Sequence, residues 1–116
     1  MRIAALPLNV RRVTLLAAMP IGAQHQSFQW SEASILQNAP VASGAYAIFK
    51  SGQWIYVGES NNIQRRLLEH FRGDNACITR LVPAGFQFEV CNEAERMLRQ
   101  ALLIRQLNPA CNQLAS

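Results

Sequence analysis

The chain has 116 residues, half of them apolar and 16% charged, which suits one domain with a real core and excludes a disordered polyampholyte. A net charge of +4 invites a nucleic-acid partner, but Arg2, Arg11 and Arg12 supply most of it, and from residue 29 onward eight basic residues face seven acidic ones. Bulk charge therefore says little about partners, while the absence of any apolar run of roughly 18 to 20 residues excludes an integral helical membrane protein.

Residues 1–28 read as an N-terminal extension. Arg11 and Arg12 precede an apolar stretch, Val13 to Ala23, that loosely resembles a signal or transit segment but is short and broken by Pro20. The expectation is a leader or disordered tail ahead of a folded domain at 29–116. Cys77, Cys91 and Cys111 are odd in number, widely spaced and without a Cys-x-x-Cys pair or zinc-ligand spacing. That usage fits reduced thiols in a cytoplasmic protein.

In chain order, Ser31 caps a short helix through Leu36, which stops before Pro40. Gly44 opens an extended run, Ala45 to Phe49, and a second follows, Gln53 to Val57, so aromatic and β-branched residues flank a glycine turn as in a β-hairpin. A three-residue loop with Gly52 left-handed pairs Phe49 with Gln53 and sets Tyr46 opposite Tyr56, with Ile48 and Trp54 on the same face. A two-residue Ser51-Gly52 turn would shift the register by one and separate the tyrosines. The three-residue loop is the expectation.

Gly58 to Asn61 then turns into a helix, Asn62 to Phe71, with apolar stripe Ile63, Leu67 and Phe71, ended by Gly73. Asp74 caps another short helix through Leu81. Pro83-Ala84-Gly85 breaks the chain before a third strand, Phe86 to Val90. Asn92 caps the last helix, with Glu95 three residues on to close a capping box, and that helix runs to about Leu107, ahead of Pro109. The order is α, β, β, α, α, β, α.

Arg66 and His70 lie four apart on one helix, at the margin of its buried stripe, a placement suited to an anionic ligand. Arg65 with Glu69 reads as an ordinary surface pair. Tyr46 and Tyr56 have a bland reading as half-buried strand residues, yet two neighbouring phenols can also pass a proton. Gln100 is the least ordinary residue of the last helix, because its wheel neighbours Met97, Leu103, Ile104 and Leu107 are apolar. Asn112 is either a turn residue or a side-chain clamp on the helix end.

Together these residues resemble the GIY-YIG nuclease family. Gly44-Ala45-Tyr46 stands at the first motif and Tyr56-Val57-Gly58 at the second; Gly58 to His70 is similar to the family's helix with its arginine and histidine, and Leu103 to Asn112 to its closing helix, proline and asparagine. The resemblance covers roughly residues 40 to 113. It implies an α+β fold, a small three-stranded antiparallel sheet flanked by helices, that hydrolyses DNA phosphodiester bonds with one Mg²⁺ (or Mn²⁺). By position, the implied roles fall on Tyr56 as the tyrosine that deprotonates or orients water, with Tyr46 in support, on Arg66 for phosphate charge, on His70 as an assisting group, and on Asn112 as a brace.

One position departs from the pattern. The family's metal-binding glutamate is here Gln100, which keeps the shape of glutamate without its charge, so a hard cation is held less well. Glu95 and Glu93 on the same helix do not reach without rearrangement, whereas Glu59, from the turn after the hairpin, stays open. Gln100 is an isosteric trap, a natural loss of activity or the sign of a shifted metal site. The expectation is a nuclease scaffold, weakly active or inactive as it stands, and the alternative is a non-cleaving nucleic-acid-binding module on the same fold.

Overall fold

A computed structural model describes residues 25–112. Its elements are β1 (Phe28–Gln29), α1 (Glu32–Asn38), β2 (Gly44–Lys50), β3 (Gln53–Ser60), α2 (Ile63–Phe71), α3 (Ala76–Leu81), β4 (Gly85–Val90), α4 (Glu93–Leu107) and a 3₁₀ turn, Ala110–Asn112. The sheet has four strands rather than the expected three, in the order β1-β4-β2-β3, all antiparallel. The added strand is two residues long, too short for alternation to show in sequence, and it pairs Phe28 with Phe86. Phe28 belongs to the core, its ring 5.5 Å from that of Phe86 and 5.6 Å from that of Phe88. The expected leader lies, up to residue 24, outside the described residues.

The hairpin corrects the expected register twice. Its turn is the two-residue Ser51-Gly52, with Gly52 at φ +76°, pairing Lys50 with Gln53 and Phe49 with Trp54. A bulge follows: Ile48 pairs with Tyr56, so Ile55 is the extra residue on β3, and Tyr46 falls opposite Gly58 rather than Tyr56. The turn alone would have put the tyrosines on opposite faces, and the bulge restores their common face by adding one residue. Ile55 joins the same core as Tyr46, Ile48 and Tyr56, while Trp54 passes to the other side of the sheet, against the expectation.

β2 is central and covered on both sides, so its run reads as continuously apolar rather than alternating. On one face Tyr46, Ile48, Ile55 and Phe86 pack under Ile35 of α1, Ile63 and Leu67 of α2 and Ile78 of α3. On the other, Ala45, Ala47 and Val57 leave room for α4, which buries Leu103 there with Ile104 and Leu107 beside it. Ser31, Asn62 and Asn92 each cap a helix by accepting a backbone N–H three residues on. For α3 the cap is Asn75, not the expected Asp74, whose carboxylate is engaged elsewhere.

Cysteine usage also turns out differently. Cys77 of α3 and Cys111 of the 3₁₀ turn form a disulfide with Cα atoms 5.8 Å apart, so two of the three expected free thiols are bonded. Spacing could not show this, because the pair is brought together by the packing of the C-terminal turn beside α3. Cys91 is free and half-buried. Among the described residues no helix is long and apolar enough to cross a membrane.

Candidate functional site

Two phenols and an imidazole meet on the α2 face of the sheet. β2 supplies Tyr46, the bulged stretch of β3 supplies Tyr56, and α2 lays His70 across both. The Tyr46 hydroxyl lies 2.8 Å from His70 Nε2. The Tyr56 ring centroid is 5.1 Å from the imidazole and 6.3 Å from the Tyr46 ring. Tyr46 and His70 are each 1% exposed, so His70 belongs to the interior and not to a margin, whereas Tyr56 is half-buried.

Gly58 makes this approach possible. It sits opposite Tyr46 in the ladder, and a Cβ there would overlap the Tyr46 hydroxyl and ring. The phenol therefore passes over the β3 backbone at Gly58 and reaches His70. The second motif's glycine is thus explained by contact: any side chain would push the first motif's tyrosine off its partner.

Arg66, one turn before His70, is bound by two carboxylates. Its Nη1 donates to Glu69 Oε1 at 2.7 Å and to Asp74 Oδ2 at 2.5 Å, with the guanidinium side chain 32% exposed. Asp74 Oδ1 is 2.9 Å from His70 Nδ1. The cluster of Arg66, Glu69 and Asp74 carries one positive and two negative charges, with Arg65 Nε 3.8 Å from Glu69. An incoming phosphate has to compete with a carboxylate for Arg66.

The ionisation states follow from these contacts. Burial raises the Tyr46 phenol far above its ordinary range, reinforced by Tyr56, and burial also raises Tyr56, opposed by Arg66. Burial lowers the His70 imidazole, partly offset by Asp74, so it rests neutral. Burial acts to lower Arg66, but its bonds to Asp74 and Glu69 prevail and raise it, and burial acts to raise Asp74, but bonds from Arg66 and His70 prevail and lower it. Both phenols therefore keep their protons at neutral pH until something removes them.

Asn112 reaches the neighbourhood from the far end of the chain. Its Oδ1 accepts from Val57 N at 2.7 Å and its Nδ2 donates to Val57 O at 2.9 Å, so it is a clamp on β3 beside Tyr56. Gln100 stands apart: it is half-buried on α4, across the sheet from His70, and no hydrogen bond among the described residues joins it to Tyr46, Tyr56, Arg66 or His70. Glu59, the carboxylate left open from sequence, accepts from Arg96 Nε at 2.6 Å and is neutralised by it. Among the described residues no group of three or more His, Cys, Asp or Glu is arranged to hold a metal ion. As they stand, the side chains present do not fit a hard divalent cation.

Sequence reasoning missed Asp74, taken for a helix cap, although its spacing from His70 repeats the four-residue spacing of Arg66 and His70. It also missed the bulge at Ile55, for which the sequence carries no mark.

Comparison with known proteins bears on the family and the fold. A family model described as the GIY-YIG catalytic domain matches residues 42–97, a span that holds Tyr46, Tyr56, Arg66 and His70 and ends before Gln100 and Asn112. The chain belongs to the GIY-YIG family. Among curated relatives, the GIY-YIG chain is 34% identical over 77 residues to the UvrABC system protein C of Deinococcus radiodurans, covering 65% of this chain and 12% of that protein. It is 36% identical over 83 residues to the protein of that name from Thermosipho africanus, covering 68% and 15%. The chain thus spans a small part of the length of the curated relatives it matches. Among solved structures, the GIY-YIG N-terminal endonuclease domain of UvrC from Thermotoga maritima, bound to magnesium, superposes with a TM-score of 0.63 at 24% identity over 71% of this chain and 96% of that one. A tyrosine-to-phenylalanine mutant of that domain, also bound to its catalytic divalent cation, gives 0.62 at 26% identity over 71% and 93%.

Proposed function

We propose that the chain is a GIY-YIG endonuclease domain for DNA phosphodiester bonds whose activity is held low by Gln100. The observation that carries this is the meeting of Tyr46, Tyr56 and His70 on one face, with Arg66 one helical turn away. Cleaving a phosphodiester needs an in-line nucleophile and positive charge on the non-bridging oxygens. In this reading Tyr56, the more exposed of the two phenols, orients the attacking water. Tyr46 supports it and can pass its proton to the neutral His70, Arg66 meets the phosphate once a carboxylate yields, and Asn112 braces β3 beside Tyr56.

A divalent ion would supply Lewis-acid polarisation of the phosphate in an active relative. That the Thermotoga maritima domain holds its catalytic cation in tyrosine and asparagine mutants fits a metal position away from those side chains. With an amide at Gln100 and Glu59 tied to Arg96, the residues present are a poor match for Mg²⁺ or Mn²⁺.

The test compares nicking of plasmid and single-stranded DNA by this chain and by Gln100→Glu, each with Mg²⁺ or Mn²⁺. Cleavage gained in Gln100→Glu supports the reading, and failure of that variant on every substrate and ion removes it. The second reading, a module that binds nucleic acid without cutting, is favoured by the amide at position 100, where a cutting enzyme of this reading would carry a carboxylate. It predicts salt-sensitive DNA binding that weakens in Arg66→Ala, whereas unchanged affinity in that variant counts against it. A cytoplasmic setting belongs to the same proposal, and there the Cys77–Cys111 bond would meet reducing thiols.

A further inference from the structure

The helix carrying Arg66 and His70 ends at Phe71, yet the four-residue spacing continues to Asp74. Gly73, at φ +95°, turns the chain back, and Asp74 N donates to Glu69 O at 3.2 Å. The carboxylate then has one oxygen for each neighbour: Oδ1 at 2.9 Å from His70 Nδ1 and Oδ2 at 2.5 Å from Arg66 Nη1. Its own side chain is 33% exposed, but the side chain of the histidine it holds is fully buried.

Hydrogen-bond chemistry fixes the protons in this chain of contacts. An ionised carboxylate only accepts, so the proton between Asp74 and His70 sits on Nδ1. The neutral ring has no second proton, which leaves Nε2 as an acceptor. The 2.8 Å contact is therefore the Tyr46 hydroxyl donating into His70 Nε2. Remove the carboxylate and either tautomer becomes accessible, and the Nε2–H form would turn Tyr46 into an acceptor with its proton directed elsewhere.

We propose that Asp74 is a positioning residue of this site: it locks His70 in the Nδ1–H tautomer, so that Tyr46 donates to Nε2, and fixes the Arg66 guanidinium with its other oxygen. Its catalytic consequence rests on the nuclease reading, but the tautomer does not. With Nε2 bare, a proton arriving at the Tyr46 oxygen is matched by the Tyr46 proton leaving to Nε2, and the imidazolium so formed lies beside Asp74.

The experiment has two arms. In the chain as it stands, long-range ¹H–¹⁵N correlation of the His70 ring at neutral pH is expected to show a protonated Nδ1 and a bare Nε2. Asp74→Asn, whose amide can offer a donor to Nδ1, should shift the ring toward the Nε2–H form, and Asp74→Glu should restore the original pattern in part. A wild-type ring in the Nε2–H form overturns the proposal, as does an Asp74→Asn spectrum indistinguishable from wild type. In the Gln100→Glu background, Asp74→Asn should lower the single-turnover nicking rate at saturating DNA by roughly 100-fold or more, after the pattern of carboxylate-oriented histidines. An unchanged rate refutes the catalytic consequence. If Gln100→Glu cuts nothing, the nuclease reading fails and the tautomer measurement alone decides the role of Asp74.

Discussion

Reduction of the Cys77–Cys111 bond is the perturbation with the largest calculable effect on this fold. The two cysteines are 34 residues apart, and closing a loop of that length in the unfolded chain removes entropy worth about 4 kcal/mol at room temperature on the chain-entropy account. The stability of a small domain is about 5 to 15 kcal/mol, so the bond would supply a large share of it. With an m-value of about 1 to 2 kcal/mol/M, the urea midpoint should fall by roughly 2 to 4 M on reduction. The assay is urea denaturation of a Cys91→Ser variant with and without reductant, with the thiol count of each state checked by alkylation and mass. A Cys77→Ser, Cys111→Ser double variant should coincide with the reduced sample. A fully reduced protein whose midpoint stays within about 0.3 M of the oxidised one would refute the reasoning, since the loop would then not constrain the unfolded state.

Gly58→Ala should destabilise by about 1 to 3 kcal/mol through overpacking, and loss of the Tyr46–His70 contact in the ring spectra should accompany the lower urea midpoint. Gly52→Ala meets no atom within 4 Å, and its left-handed backbone at φ +76° should cost about 1 to 2 kcal/mol without disturbing His70. Burial holds His70 below the ordinary imidazole value of 6.5, so just below 6.5 the unfolded chain binds a proton that the folded chain does not. Stability should therefore rise with pH through that window and fall on acidification, and His70→Gln should flatten the dependence of the urea midpoint between about pH 5 and about pH 7.5. Asp74, held below the ordinary 3.8, contributes stability that is present above 3.8 and lost as pH falls through its lowered folded value, a more acidic loss that Asp74→Asn should remove.

Local signals carried most of the element order. The caps Ser31 and Asn92 and the breaks at Gly73 and Pro83 act through hydrogen bonds and dihedrals within a few residues, and such features are written in the sequence around them. The pairing of strands is different. Gly52 marked a turn but not its length, and the bulge at Ile55 arises because Ile55 and Tyr56 both gain by facing one core, a preference set by α2 and α3 from elsewhere in the chain. Tyr46 and Tyr56 were placed on one face for a reason that does not hold, two shifts having compensated. β1 and the disulfide depend on contacts between distant segments and had no local mark. Asp74 was within reach, because positions 66, 70 and 74 form one ladder on a helical wheel, but the glycine at 73 suggested that the ladder had ended.

Asn112 bonds to both main-chain groups of Val57, on the side of β3 that, among the described residues, has no neighbouring strand. A side-chain amide there imitates one peptide unit of a missing fifth strand, and the 3₁₀ turn behind it blocks the approach of a real one. An open strand edge is a template on which another chain can add. The clamp beside Tyr56 is thus also a guard against self-association, so loss of cutting in an Asn112→Ala protein has to be read together with its sedimentation. A variant that becomes larger in solution would have lost its solitary edge as well as its brace.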